Sequence, residues 1–243
     1  MPERPLSVPI VVWIAFFAAA TLFLAAPEID LIVSRLFYTP GVGFTFRGSP
    51  IERFLYHSVE WLSLWGGLAL IGTSLYAMVA RRPAAGLSAR DLTIALLILA
   101  LGPGLLVNGV LKESYGRARP AQIVEFDGER TFTPAFVPSD QGGRSFSSGH
   151  ASAAFFWTSV ALLAKRRRQL WISAAVAYGL LIGFVRIAAG GHFLSDVVAS
   201  FFIVLILTFM LRDFVYRYAG PVPVVSQARI SARSYLPVDS TGS

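Results

Sequence analysis

Apolar residues run along this chain in long stretches bounded by charged or turn-forming residues, and neither strict alternation nor a solenoid-type repeat interrupts them. Stretches of this kind predict helices that cross a bilayer, which takes about 20 residues each. Six spans are expected, at roughly 8–26, 56–80, 91–111, 150–164, 170–189 and 193–212. The fourth is the shortest. The fold class expected is therefore all-α: a polytopic bundle of six transmembrane helices with a long outer loop between helices 3 and 4. Residues 1–218 would form one membrane domain. Residues 219–243, rich in Pro, Ser and Val without periodicity, read as a flexible cytoplasmic tail.

The intervening segments add detail. Residues 27–55 mix prolines and glycines with aromatics, predicting an outer loop with a short interfacial helix around Asp30–Tyr38. Gly102-Pro103-Gly104 should kink or locally unwind the third span, as a packing feature rather than a hinge. The segment from Lys112 to Gly149 is long for a bundle connection, and such loops tend to be functional. The first span has a long apolar stretch and no convincing small-residue cleavage site before Pro27, so it is expected to be retained.

Composition supports a membrane protein, with 55% hydrophobic and 14% charged residues. The absence of cysteine excludes disulfides and thiolate metal ligands. A net charge of +7 could suggest nucleic acid, but the basic residues lie between spans, where they set topology instead. Arg81, Arg82 and Arg90, the run Lys165-Arg166-Arg167-Arg168, and Arg212, Arg217, Arg229 and Arg233 fall on one side, which the positive-inside rule makes cytoplasmic, with both termini. The other side nevertheless carries Lys112, Arg117, Arg119, Arg130, Arg144 and Arg186. The topology rule does not call for that excess, so an outer-face anion is expected.

All three histidines, His57, His150 and His192, fall on the same outer side. If helical there, His192 and Asp196 stand at i and i+4, where the carboxylate could fix the imidazole tautomer and leave Nε2 for nucleophilic attack. Gly190-Gly191 just before would let a ligand approach the backbone. His150 follows Ser147-Ser148-Gly149 at the start of a span, where free N–H groups and the helix dipole favour an anion and the imidazole could donate a proton. Lys112 and Arg119 supply a point charge and a bidentate grip for phosphoryl oxygens. Together with Arg186 these residues form equipment for phosphoryl transfer.

Lys112-x6-Arg119-Pro120, Ser148-Gly149-His150 and Arg186-x5-His192-x3-Asp196 resemble, in order and spacing, the three-part signature of the type 2 phosphatidic acid phosphatase superfamily. The match spans residues 112–196. The resemblance implies that His192 attacks phosphorus to form a phosphohistidine, Asp196 orients it, and His150 protonates the leaving oxygen and then activates water. It further implies that Lys112, Arg119 and Arg186 hold the phosphoryl oxygens, helped by Ser148 and the Gly149 amide, with no metal or other cofactor. Ser147 stands where the family commonly has proline, and could cap the helix; Val185 replaces a common serine before Arg186, which could weaken a hydrogen bond there.

The expected function is a lipid phosphate phosphatase of the cytoplasmic membrane, working at its outer face on phosphatidate, phosphatidylglycerophosphate, undecaprenyl diphosphate or a phosphate of lipid A. Loop residues Glu125, Asp127, Glu129, Arg130, Asp140 and Arg144 could select among these or be solvated. The alternatives are a phosphotransferase using the same site and an anion-binding transporter, which the lack of an inverted repeat disfavours.

Overall fold

The computed structural model describes residues 8–218; the predicted tail at 219–243 lies outside the described residues. Helix α1 (Ile10–Ala25) turns by 83° into α2 (Glu28–Arg35). A two-residue hairpin follows, β1 (Tyr38–Thr39) and β2 (Gly43–Phe44). Then come α3 (Pro50–Ala80), α4 (Ala89–Ser114), α5 (Gly149–Leu163), α6 (Arg168–Ala188) and α7 (Leu194–Tyr218).

Each of the six predicted apolar stretches is a helix. Among the described residues four are long and apolar enough to cross a membrane (α3, α4, α6 and α7), or five if α1 and α2 form one bent span. With 15 residues α5 measures about 22 Å, short of a hydrocarbon core of about 30 Å. It is also the most enclosed helix, with Ala151, Ala154, Phe155 and Phe156 buried. The outward faces of α3 and α6 expose Trp61, Leu64, Trp65, Trp171 and Leu180, as lipid contact requires.

Start signals are local. Ser49 accepts a hydrogen bond from the Glu52 N–H at the head of α3, and Ser88 and Asp91 form a reciprocal capping box on α4. Packing then joins α4, α5 and α7 through Leu92, Ile94, Ile98, Phe156 and Val204. The predicted disturbance at Gly102-Pro103-Gly104 takes the form of π-helical winding from Ala100 to Leu111. Asn108 Nδ2 donates to the Pro103 carbonyl at 2.6 Å inside this stretch.

One expectation needs correction. The short helix after α1 ends at Arg35 and gives way to the hairpin, and its Asp30 is buried rather than interfacial. The loop between α4 and α5 is a folded layer. Its Ala118, Ile123 and Phe126 pack with Phe44 and Phe193, and its backbone pairs Gly116 with Gly143 and Ile123 with Arg130.

Candidate functional site

Connectivity brings the signature residues to one end of the bundle. Lys112 closes α4, Ser148 to His150 open α5, Arg186 lies near the end of α6, and His192 occupies the turn before α7. The basic segments 81–82 and 165–168 lie at the opposite ends of α3, α5 and α6.

His192 is buried in that turn, two residues before the helix that carries Asp196. Its Nδ1 lies 2.8 Å from the Ser145 carbonyl oxygen and 3.6 Å from Asp196 Oδ2. A carbonyl only accepts, so Nδ1 carries the proton and Nε2 keeps its lone pair. Burial pushes the imidazole down to about 4 against the opposing pull of Asp196, so the ring is neutral at physiological pH.

Asp196 is occupied mainly elsewhere. Its oxygens accept from Arg117 Nη1 at 2.6 Å, Ser145 Oγ at 2.5 Å and the Phe193 N–H at 2.9 Å, the last closing the first turn of α7. Arg117, which the signature does not require, is fully buried. Its Nη2 donates to Asp30 Oδ2 at 2.8 Å, Nη1 also to Ser195 Oγ, and Nε to the Thr133 carbonyl, while its plane lies over the Phe193 ring. Burial alone would lower this guanidinium, but Asp196 and Asp30 outweigh it and raise the value. Removing one partner of such a buried pair typically costs on the order of 3–5 kcal/mol.

The candidate anion-binding half lies around the head of α5. Ser148, not Ser147, caps this helix, its Oγ accepting from the Ala151 N–H at 3.4 Å. Ser147 Oγ is instead buried with no hydrogen-bond partner among the described residues. The N–H groups of Gly149 and His150, in the first turn, have no carbonyl four residues back to receive them. A Cβ on Gly149 would lie 2.5 Å from Lys112 Nζ and 2.6 Å from Asn108 Oδ1, so glycine is what lets the lysine reach this turn.

Arg186 crosses the backbone where a Cβ on Gly191 would collide with its guanidinium. Its Nη1 donates to Glu52 Oε1 at 3.0 Å and its plane lies over the Tyr56 ring, whereas its buried Nε has no acceptor among the described residues. Val185 before it is buried and offers no hydroxyl. His150 packs at a tilt against the same Tyr56, centroids 3.9 Å apart and planes 39° apart, within reach of the charges of Arg186, Lys112 and Arg119. Arg119 is lowered by burial, with the repulsion of Arg144 and Arg47 acting the same way. The structure thus gathers all eight candidates, while His57 stands apart in a half-exposed pair with Glu60. Gly190 needs its left-handed φ of +67°, and it is Phe44 that packs where its side chain would be.

Asp30, Glu52, Tyr56 and Ser145 were not singled out by sequence reasoning, and Arg117 was noted only as outer-face charge. Arg117 lies inside the Lys112-x6-Arg119 spacing, where a second arginine was a usable signal. Nothing local marked the others.

Comparison with known proteins decides the family. The family model described as the PAP2 superfamily matches residues 91–219. The chain belongs to the PAP2 superfamily. Over 183 residues it is 31% identical to a lipid A 1-phosphatase of Rhizobium johnstonii, covering 70% of each chain. It is 43% identical over 124 residues to a lipid A 4′-phosphatase of Francisella tularensis subsp. novicida, covering 49% of this chain and 55% of that one. The chain spans about half the length of the lipid A 4′-phosphatases it matches. A crystal structure of a transmembrane PAP2-type phosphatidylglycerolphosphate phosphatase from Bacillus subtilis shares the fold, with a TM-score of 0.56 at 22% identity over 87% of this chain and 97% of that one. The PAP2 match begins at residue 91, so Asp30, Phe44, Glu52 and Tyr56 lie before the matched segment.

Proposed function

We propose that this protein is a membrane lipid phosphate phosphatase that works through a phosphohistidine on His192 and removes a phosphate of lipid A. The observation that carries the chemistry is the Ser145 carbonyl at 2.8 Å from His192 Nδ1, which commits Nε2 to attack. Nε2 forms a bond to phosphorus as the bond to the lipid oxygen breaks. Lys112, Arg119, Arg186 and the first-turn N–H groups of α5 neutralise the equatorial oxygens. His150, packed against Tyr56, gives its proton to the leaving oxygen, then takes one from the water that attacks the phosphoenzyme. Asp196 stabilises the cationic ring formed in between.

The substrate rests on kinship, since relatives matching most and about half of the chain are named lipid A 1- and 4′-phosphatases. A glycolipid phosphate also fits a cationic site at one end of an apolar bundle. We place the protein in the cytoplasmic membrane with six crossings, α5 being the shortest, both termini inside and the site outside. The basic segments at the far helix ends support this orientation.

The test is phosphate release by the purified protein in detergent from lipid A, phosphatidate, phosphatidylglycerophosphate and undecaprenyl diphosphate. Lipid A should be turned over fastest. Turnover of none would sink the phosphatase reading, and preference for another lipid the substrate. Faster consumption of substrate in the presence of an acceptor, without matching phosphate release, would mark a transferase.

A further inference from the structure

Attack by His192 leaves its ring with hydrogen on Nδ1 and phosphorus on Nε2, a cation buried near Arg186 and Arg119, both of which repel it. Asp196 is the carboxylate placed to offset that charge. Yet Asp196 already faces Arg117 at 2.6 Å, and a carboxylate matched one for one by a guanidinium offers little to a second cation. Asp30 alters the balance. Its Oδ2 takes the other end of the same guanidinium at 2.8 Å, and its Oδ1 accepts from the Ser195 N–H at 2.9 Å. Burial raises the Asp30 carboxyl above the usual carboxylate range, but Arg117 and the Ser195 hydroxyl pull it back down, and the charged guanidinium, the Ser195 N–H and the Ser195 hydroxyl all donate to its two oxygens, the pattern that favours the ionised form. Two carboxylates then share one arginine, and the buried cluster carries one negative charge overall.

We infer that Asp30 is a positioning residue for phosphoryl transfer: by sharing Arg117 it leaves Asp196 with the surplus negative charge that stabilises the ring of phosphorylated His192. The inference rests on the phosphohistidine reading above. No covalent step is added. The His192 Nε2 lone pair makes the N–P bond, the P–O bond to the lipid breaks, and the departing oxygen keeps that pair and takes the His150 proton.

The location of Asp30 gives the arrangement a further property. The residue sits on α2, which reaches the site only because the chain turns by 83° after α1. Docking of this short helix therefore sets the field at a nucleophile more than 160 residues later.

Charge-balancing variants separate this role from a structural one. Asp30→Asn removes the surplus and should slow single-turnover nitrophenolate release from nitrophenyl phosphate by about tenfold or more, with KM little changed. Arg117→Gln leaves two carboxylates buried without their cation and should also be slow. The double variant Asp30→Asn/Arg117→Gln restores one net negative charge on Asp196 and should react faster than either single variant, on protein matched for folding by thermal unfolding in detergent. A packing role predicts the reverse, with losses that add. If Asp30→Asn does not fold, Arg117→Gln against the double variant decides. A double variant no faster than the better single one overturns the assignment of Asp30 alone. Failure to trap phosphorylated His192 in alkaline-quenched wild type would overturn the phosphohistidine reading and this inference with it.

Discussion

His192 and Ser145 are joined through the backbone: the Ser145 carbonyl, at 2.8 Å, is nearer to Nδ1 than either oxygen of Asp196. The tautomer is thus fixed by the chain rather than by a side chain that can be mutated away. Ser145→Ala keeps the carbonyl and removes one of several donors to Asp196. It should lower kcat by roughly tenfold or less with KM unchanged in steady-state assays. Asp196→Asn should lose at least about a hundredfold, since the charge is gone and an amide must face donors.

The two imidazoles should part company by leaving group. His192→Ala should abolish turnover on every substrate. His150→Ala should lose about a hundredfold or more on a lipid phosphate, whose alkoxide needs a proton to depart, yet form phosphoenzyme from nitrophenyl phosphate with a much smaller loss. Rapid mixing should then show a burst of nitrophenolate and a slow steady rate. A burst in His192→Ala and none in His150→Ala would reverse the roles.

Gly149→Ala tests the phosphate cradle. The added methyl would meet Lys112 Nζ and Asn108 Oδ1, so the lysine must withdraw from the head of α5. Vanadate, a mimic of five-coordinate phosphorus, should inhibit the wild type and bind at least about tenfold more weakly to the variant. Equal inhibition of both proteins would place the anion elsewhere.

Acidity should weaken the fold through His192. Its folded value is about 4, below an ordinary value near 6.5, so between these values the unfolded chain binds the extra proton. This contribution is whole above about pH 6.5 and is lost as pH falls towards 4. Thermal midpoints in detergent from pH 7 to 4.5 should fall more steeply for wild type than for His192→Asn. Parallel curves would show that the imidazole is not held neutral.

Activity should survive strong chelation. Among the described residues no three His, Cys, Asp or Glu side chains form a group suited to a metal ion, and the cations Lys112, Arg119 and Arg186 lie within electrostatic reach of His150. Loss of phosphate release in EDTA, restored by magnesium, would contradict this.

The sequence disclosed helices and chemistry because both leave periodic or spaced marks. Apolar runs announced every long helix, and fixed spacings tied Lys112 to Arg119 and Arg186 to His192 and Asp196. What stayed hidden was side chains meeting across the fold. Asp30 reads as one acid in an amphipathic octamer, Glu52 as an ordinary first-turn acid, and Tyr56 as an interfacial aromatic. Each acquires its role from a partner more than 80 residues away. The spacing of His192 and Asp196 left open whether the helix has begun at the histidine, because an i, i+4 spacing says nothing about that.

The bend after α1, the hairpin aromatic against Gly190 and the carboxylate at the head of α3 together mean that possession of the signature is not possession of the site. A chain started at Ala89 would keep every signature residue, yet Arg117 would face a single carboxylate, Arg186 would lose its acid and its aromatic bed, and the turn holding His192 would stand uncovered. Residues 28–56 are therefore one wall of the candidate site, and a chain can agree at every signature position while differing in that wall.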